Sequence, residues 1–170
     1  MYMNQLAAFL RISGLALLPS VSILAQPTPT QGVQGRTIVF VCEHGSAKST
    51  IAAAHFNDMA NKSGLPYRAI ARGVHPDKEI PAHVKSGLAA EGLDIRGWQP
   101  KGFSEGDALR SDRVITLGCT LPTAKSVVTR KVQEWNDVPS PSENYQNASR
   151  VIAERVALLL RELTGKQALP

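Results

Sequence analysis

Residues 37–56, TIVFVC-EHGSAKS-TIAAAHF, decide the fold. Thr37 to Cys42 is an unbroken β-branched and aromatic run, the pattern of a strand buried on both faces. Glu43 to Ser49 contains no proline, so every peptide N–H in it can donate. Helical spacing of Ile51, Ala54, Met59 and Ala60 follows, and Gly64 is placed to stop the helix. A strand running through such a turn into a helix N-terminus forms a concave nest of amides suited to a tetrahedral oxyanion. Cys42, at its base, meets the same dipoles, which favour thiolate over thiol and make it a nucleophile. Lys48 adds a positive charge and the Ser49 hydroxyl can donate to the sulfur. The remaining nest residues, Glu43, His44, Gly45, Ser46 and Ala47, form the substrate-binding loop. A buried cysteine followed by an ordinary helix is the plainer alternative. A nucleotide-binding phosphate loop is a poor match, because Cys42 and Ala47 occupy both of its required glycine positions.

Outward from this segment, strand and helix patterns alternate. Tyr67 to Ala71 reads as a second strand and residues 81–92 as a helix with Pro81 in its first turn. Asp112 to Cys119 reads as a third buried strand and Arg130 to Trp135 as a short fourth. Residues 142–166 carry Val151, Ile152, Val156, Leu159, Leu160 and Leu163 as one apolar face, which predicts a closing amphipathic helix. Alternation of this kind implies a mainly parallel sheet with helices on both faces, its ligands held beyond the carboxyl ends of the strands. Both cysteines fall there.

Length and composition set the outer limits. A chain of 170 residues with 43% hydrophobic content supports one domain and excludes global disorder. Two cysteines exclude a disulfide scaffold or a four-cysteine zinc site. A net charge of +5 is dispersed, without the basic runs that nucleic-acid binding requires. No metal or cofactor is expected, since Cys42, His44, His55 and Cys119 lack ligand-pair spacing and His55 falls within a helix. Residues 1–25 combine Arg11, an apolar run from Ile12 and a small residue at Ala25, the pattern of a secretory signal peptide. An uncleaved anchor is the alternative, and it would be the chain's one link to a membrane. Residues 26–36, rich in Pro, Gly, Thr and Gln, read as a linker, and the domain is expected over 37–165.

The segment VFVCEHGSAKSTIAAAHFN resembles the active-site segment of the low-molecular-weight protein tyrosine phosphatases and related arsenate reductases, whose motif is C-x5-R-[ST]. The resemblance continues through AIARGV, HVKSGLAAEGLDIRGWQPKGFSEGDALRSDRVITLGC and VQEWNDVPS, covering Thr37 to Leu163 in order. It implies a four-stranded parallel sheet with flavodoxin-like winding, and phosphomonoester hydrolysis through a phosphocysteine. Lys48 stands where the family has arginine, replacing a planar fork by a point charge. His44-Gly45 stands where the family has Gly-Asn, with Gly45 able to supply the unusual backbone angle. By the same likeness Asp137 is the expected general acid, with Val138 inserted before Pro139, and Glu134 and Glu143 are reserves. The pocket lacks the aromatics that select phosphotyrosine. The arsenate reductases use a second cysteine after the third strand, which makes Cys119 the expected redox partner of Cys42 in that alternative. A third alternative is an oxyanion-binding module without turnover.

Overall fold

The computed structural model describes residues 36–122 and 132–165. The expected signal segment and nearly all of the linker lie outside the described residues, as do Arg130 and Lys131 of the fourth strand. In chain order the elements are β1 (Arg36–Cys42), α1 (Lys48–Lys62), β2 (Tyr67–Gly73), α2 (Ala82–Ala90), α3 (Glu105–Arg110), β3 (Arg113–Thr116), β4 (Val132–Glu134) and α4 (Tyr145–Leu163). Their sheet is four-stranded in the order β2-β1-β3-β4, and every pairing is parallel. The chain therefore winds to one side of β1 and then to the other. That reversal opens a crevice between the carboxyl ends of β1 and β3.

Because β1 is central, its side chains alternate between two cores. Ile38, Phe40 and Cys42 face the larger one, with Ile51, Phe56, Val84, Leu88, Ile152 and Leu159. Phe40 is its hub, with ring centroids 5.9 Å from Phe56 and 5.6 Å from Trp135. Val39 and Val41 face a smaller core with Ala108 and Val114. Each fully buried Phe or Ile of this kind is worth about 1.5–3 kcal/mol over its exposed state, so the two-sided β1 anchors the domain.

The structure moves several expected boundaries. β3 ends at Thr116, three residues before Cys119, because residues 117–118 turn away. α3 is an element the apolar pattern does not announce; Ser104 and Asp107 form a reciprocal capping box at its start. The outer edge of β2 is closed to further pairing. Asn57 donates to the Ala69 carbonyl and accepts from the Ala69 N–H, Arg72 covers the Ala71 carbonyl, and residues 101 and 103 bond Gly73. An edge blocked in this way resists strand addition by another chain.

His55 has a packing role, joining α1 to α4 and to the end of α2. Its Nε2 is 2.8 Å from the Ser149 hydroxyl, which donates at 2.9 Å to Glu91 just beyond α2. Burial pushes the His55 pKa down, against the opposing charges of Glu91 and Asp58. With a folded value below the 6.5 of the unfolded chain, its contribution is intact above that pH and lost as pH falls through the folded value. We expect unfolding free energy to drop between neutral pH and pH 5, with a shallower dependence in His55→Gln, as read from urea denaturation at each pH.

Candidate active site

The loop after β1 is shaped by where its carbonyls go. Cys42 O accepts from Val74 N at 3.1 Å, Glu43 O from His75 N at 2.8 Å, His44 O from Asp77 N at 3.0 Å, and Gly45 O from Thr50 Oγ1 at 3.1 Å. In a trans peptide the C=O and the following N–H point in opposite directions. Four carbonyls drawn outward therefore turn the N–H groups of residues 43–46 inward, toward Cys42. The Gly45 N–H donates to Cys42 Sγ at 3.3 Å, and the Ser49 hydroxyl lies 3.2 Å from the same sulfur.

Two glycines make this curvature feasible. Gly45 has φ +64°, and a Cβ on it would stand 2.6 Å from Gly73 N; a Cβ on Gly73 would stand 2.6 Å from Gly45 N. The β2 end thus lies directly against the loop. This backbone contact braces the loop against β2. At the other rim, α1 begins at Ala47 with no side-chain cap, whereas α3 and α4 are capped by Ser104 and Asn144. Its first-turn amides and positive dipole end are left for an anion.

A cavity of about 280 Å³ opens over the sulfur, lined by Cys42, Glu43, His44, Ser46, Ala47 and Lys48 of the loop region, with Leu117 and Gly118 from beyond β3. It is also lined by four polar residues that sequence reasoning did not single out for the site: Asp77, His83, Ser140 and Ser142. The spacing of Asp77 and His83 from β2 and α2 gives no period to find them by. Lys48 Nζ donates to the Val138 carbonyl at 2.8 Å, tying the loop after β4 to the start of α1.

Two expected residues stand elsewhere. Asp137 does not line the cavity; its carboxylate pairs with Arg155, whose guanidinium lies 5.8 Å from the Trp135 ring centroid. Its own backbone N–H, and then Arg155, hold its carboxyl below the usual carboxylate range, which disfavours the protonated form a general acid needs. Cys119 packs with the smaller core while Cys42 belongs to the larger one, and its thiol donates to the Val41 carbonyl at 3.5 Å. Burial, then the neighbouring Cys42, pushes its pKa up to about 11, so at neutral pH it stays a thiol. Both cysteines are free. The reserve carboxylates do not line the cavity either, Glu134 being hydrogen-bonded by Asn136.

A family model, low molecular weight phosphotyrosine protein phosphatase, matches residues 37–168. The chain belongs to that family. Solved structures of similar fold include YfkJ from Bacillus subtilis, 21% identical over 78% of this chain and 97% of that one, with a TM-score of 0.67. A low-molecular-weight protein tyrosine phosphatase from T. tengcongensis is 20% identical, covering 75% of this chain and 99% of that one, with a TM-score of 0.66. An arsenate reductase from Archaeoglobus fulgidus is 28% identical, covering 72% and 97%, with a TM-score of 0.58. No curated relative matches the sequence with significance. Phosphatases and arsenate reductases thus share this fold.

Gly73→Ala tests the cradle directly. Its Cβ would meet loop backbone at 2.6–2.7 Å, so the loop must move. The variant is expected to lose about 1–3 kcal/mol of stability, and phosphate, expected to raise the melting temperature of the parent protein, is expected not to raise that of the variant; thermal melts with and without phosphate read both.

Proposed function

We propose that this protein is a cysteine-dependent phosphomonoester hydrolase. The observation that carries the reading is the outward anchoring of four successive loop carbonyls, which converges amides and the Ser49 hydroxyl on the Cys42 sulfur. Cys42 attacks phosphorus, displacing the leaving oxygen and forming a phosphocysteine. The loop amides of Glu43, His44, Gly45 and Ser46, with the start of α1 at Ala47 and Lys48, hold the equatorial oxygens, whose charge is spread in the transition state. Water then cleaves the S–P bond and releases orthophosphate. Lys48 keeps the loop after β4 in place through Val138, and its remaining N–H bonds are available to the phosphoryl oxygens.

The cavity argues against an aromatic ester as the preferred substrate. Among its lining residues are Glu43, His44, Asp77, His83, Ser140 and Ser142, and no Phe, Tyr or Trp. A polar or cationic leaving group fits that lining better than a phenol ring. Arsenate reduction with Cys119 as the resolving thiol is the less supported reading, because Cys119 packs with the smaller core and is held as a thiol there.

Cys42→Ser is expected to abolish release of phosphate from p-nitrophenyl phosphate, and Cys119→Ser to leave it within about two-fold of the parent. Thiol-coupled turnover of arsenate that depends on Cys119 would replace this reading with a reductase; phosphate-induced stabilisation without any turnover would leave a binding module. Lys48→Arg is expected to raise kcat by about ten-fold or less, since a guanidinium can bond Val138 through one N–H and present its fork to two phosphoryl oxygens. A fall in kcat would show that the cradle is built for an ammonium.

Export completes the proposal. Removal of residues 1–25 would deliver the domain to the periplasm or the medium, where a phosphatase meets extracytoplasmic phosphoesters. N-terminal sequencing of the full-length chain after expression is expected to begin at Gln26. A product retaining Met1 and pelleting with membranes would indicate the uncleaved anchor instead.

A further inference from the structure

We infer that Asp77, on the loop after β2, is the proton donor to the leaving group, and that Asp137 is not. The inference rests on the phosphatase reading and deepens it. Asp77 is a carboxylate of the cavity that contains Cys42, and it is fastened to the cradle itself. Its backbone N–H donates to the His44 carbonyl at 3.0 Å, and its Oδ2 accepts from the Ser46 hydroxyl at 2.5 Å. Ser46 is buried within the loop, so the carboxylate keeps a fixed position relative to any oxyanion the loop holds. With Oδ2 committed to Ser46, Oδ1 is the oxygen left to carry the proton. It faces His44 Nδ1 at 3.5 Å.

The other titratable or charged groups of the cavity are less suited to the task. Glu43 faces His75 across 3.8 Å at the exposed surface, and neither group is oriented by a buried donor. Lys48 is spent on Val138 and the oxyanion. His44 and His83 line the space, but His44 in its cationic form would pair with Asp77 and orient it rather than replace it.

The chemistry balances. As the sulfur–phosphorus bond forms, the bond from phosphorus to the leaving oxygen breaks, and the Asp77 carboxylic proton passes to that oxygen. In the second step the Asp77 carboxylate takes a proton from water. The water oxygen bonds to phosphorus, the sulfur–phosphorus bond breaks, and the electron pair returns to sulfur as thiolate. Asp77 ends protonated, as it began.

Leaving groups of graded basicity separate a proton donor from a merely structural carboxylate. We would measure kcat/KM and its pH profile for 2,4-dinitrophenyl, p-nitrophenyl and phenyl phosphate with the parent protein, Asp77→Asn, Asp137→Asn and Cys42→Ser. Asp77→Asn is expected to lose about a hundred-fold or more on phenyl phosphate and less than about ten-fold on the dinitrophenyl ester, whose leaving group needs no proton. The alkaline limb of its profile should flatten, while Asp137→Asn should follow the parent throughout. Equal losses on all three esters, or a leaving-group dependence appearing in Asp137→Asn, would overturn the assignment and leave the phosphatase reading standing. Turnover unaffected by Cys42→Ser, or absent from the parent protein, would overturn both. Phosphate-induced stabilisation of Asp77→Asn checks that its cradle is intact. Should that be lost, Asp77→Glu carries the same test: keeping the proton but moving it by a methylene, it must show a smaller loss that still grows with leaving-group basicity, and a uniform loss overturns the assignment.

Discussion

The site depends on one backbone contact, the approach of Gly73 at the end of β2 to Gly45 within the loop after β1. Neither residue can carry a side chain there. Their proximity lets residues 74–77 run alongside the loop and take up three of its carbonyls. Without those bonds the peptide planes could rotate, and the amides would have no common focus. The loop is thus shaped by hydrogen bonds on its outer side. Such preorganisation is where electrostatic catalysis gains most, because the dipoles need not reorient as charge develops.

Lys48 links two walls of the cavity: its ammonium holds the Val138 carbonyl, and Val138 itself is buried in the larger core. This also accounts for Asp137. With Val138 pinned through both its side chain and its carbonyl, the preceding residue points the other way, onto Arg155, which lies beside Trp135.

Much of the architecture was legible because β1 must be buried on both faces, and only a central parallel strand satisfies a run as apolar as residues 37–42. The place of Cys42 was legible for a related reason: the strand ends on it and the helix starts six residues later. The positive φ at Gly45 followed from local chemistry. What escaped the sequence was long-range. α3 is six residues long, signalled by its capping box alone. Asp77 enters the cavity because its N–H reaches the His44 carbonyl, a bond that no spacing rule connects. Cys119 was placed at a strand end, yet β3 stops three residues earlier and the thiol turns to the opposite core.

That last displacement bears on the reaction. A resolving thiol has to reach the first sulfur as a thiolate, and the two cysteines here belong to cores on opposite faces of one sheet. Crossing would require Cys119 to leave the Val41 carbonyl and its apolar neighbours, and burial already holds its proton in place to about pH 11. The fold is shared with reductases, and in this chain the two cysteines pack into cores on opposite faces of its sheet.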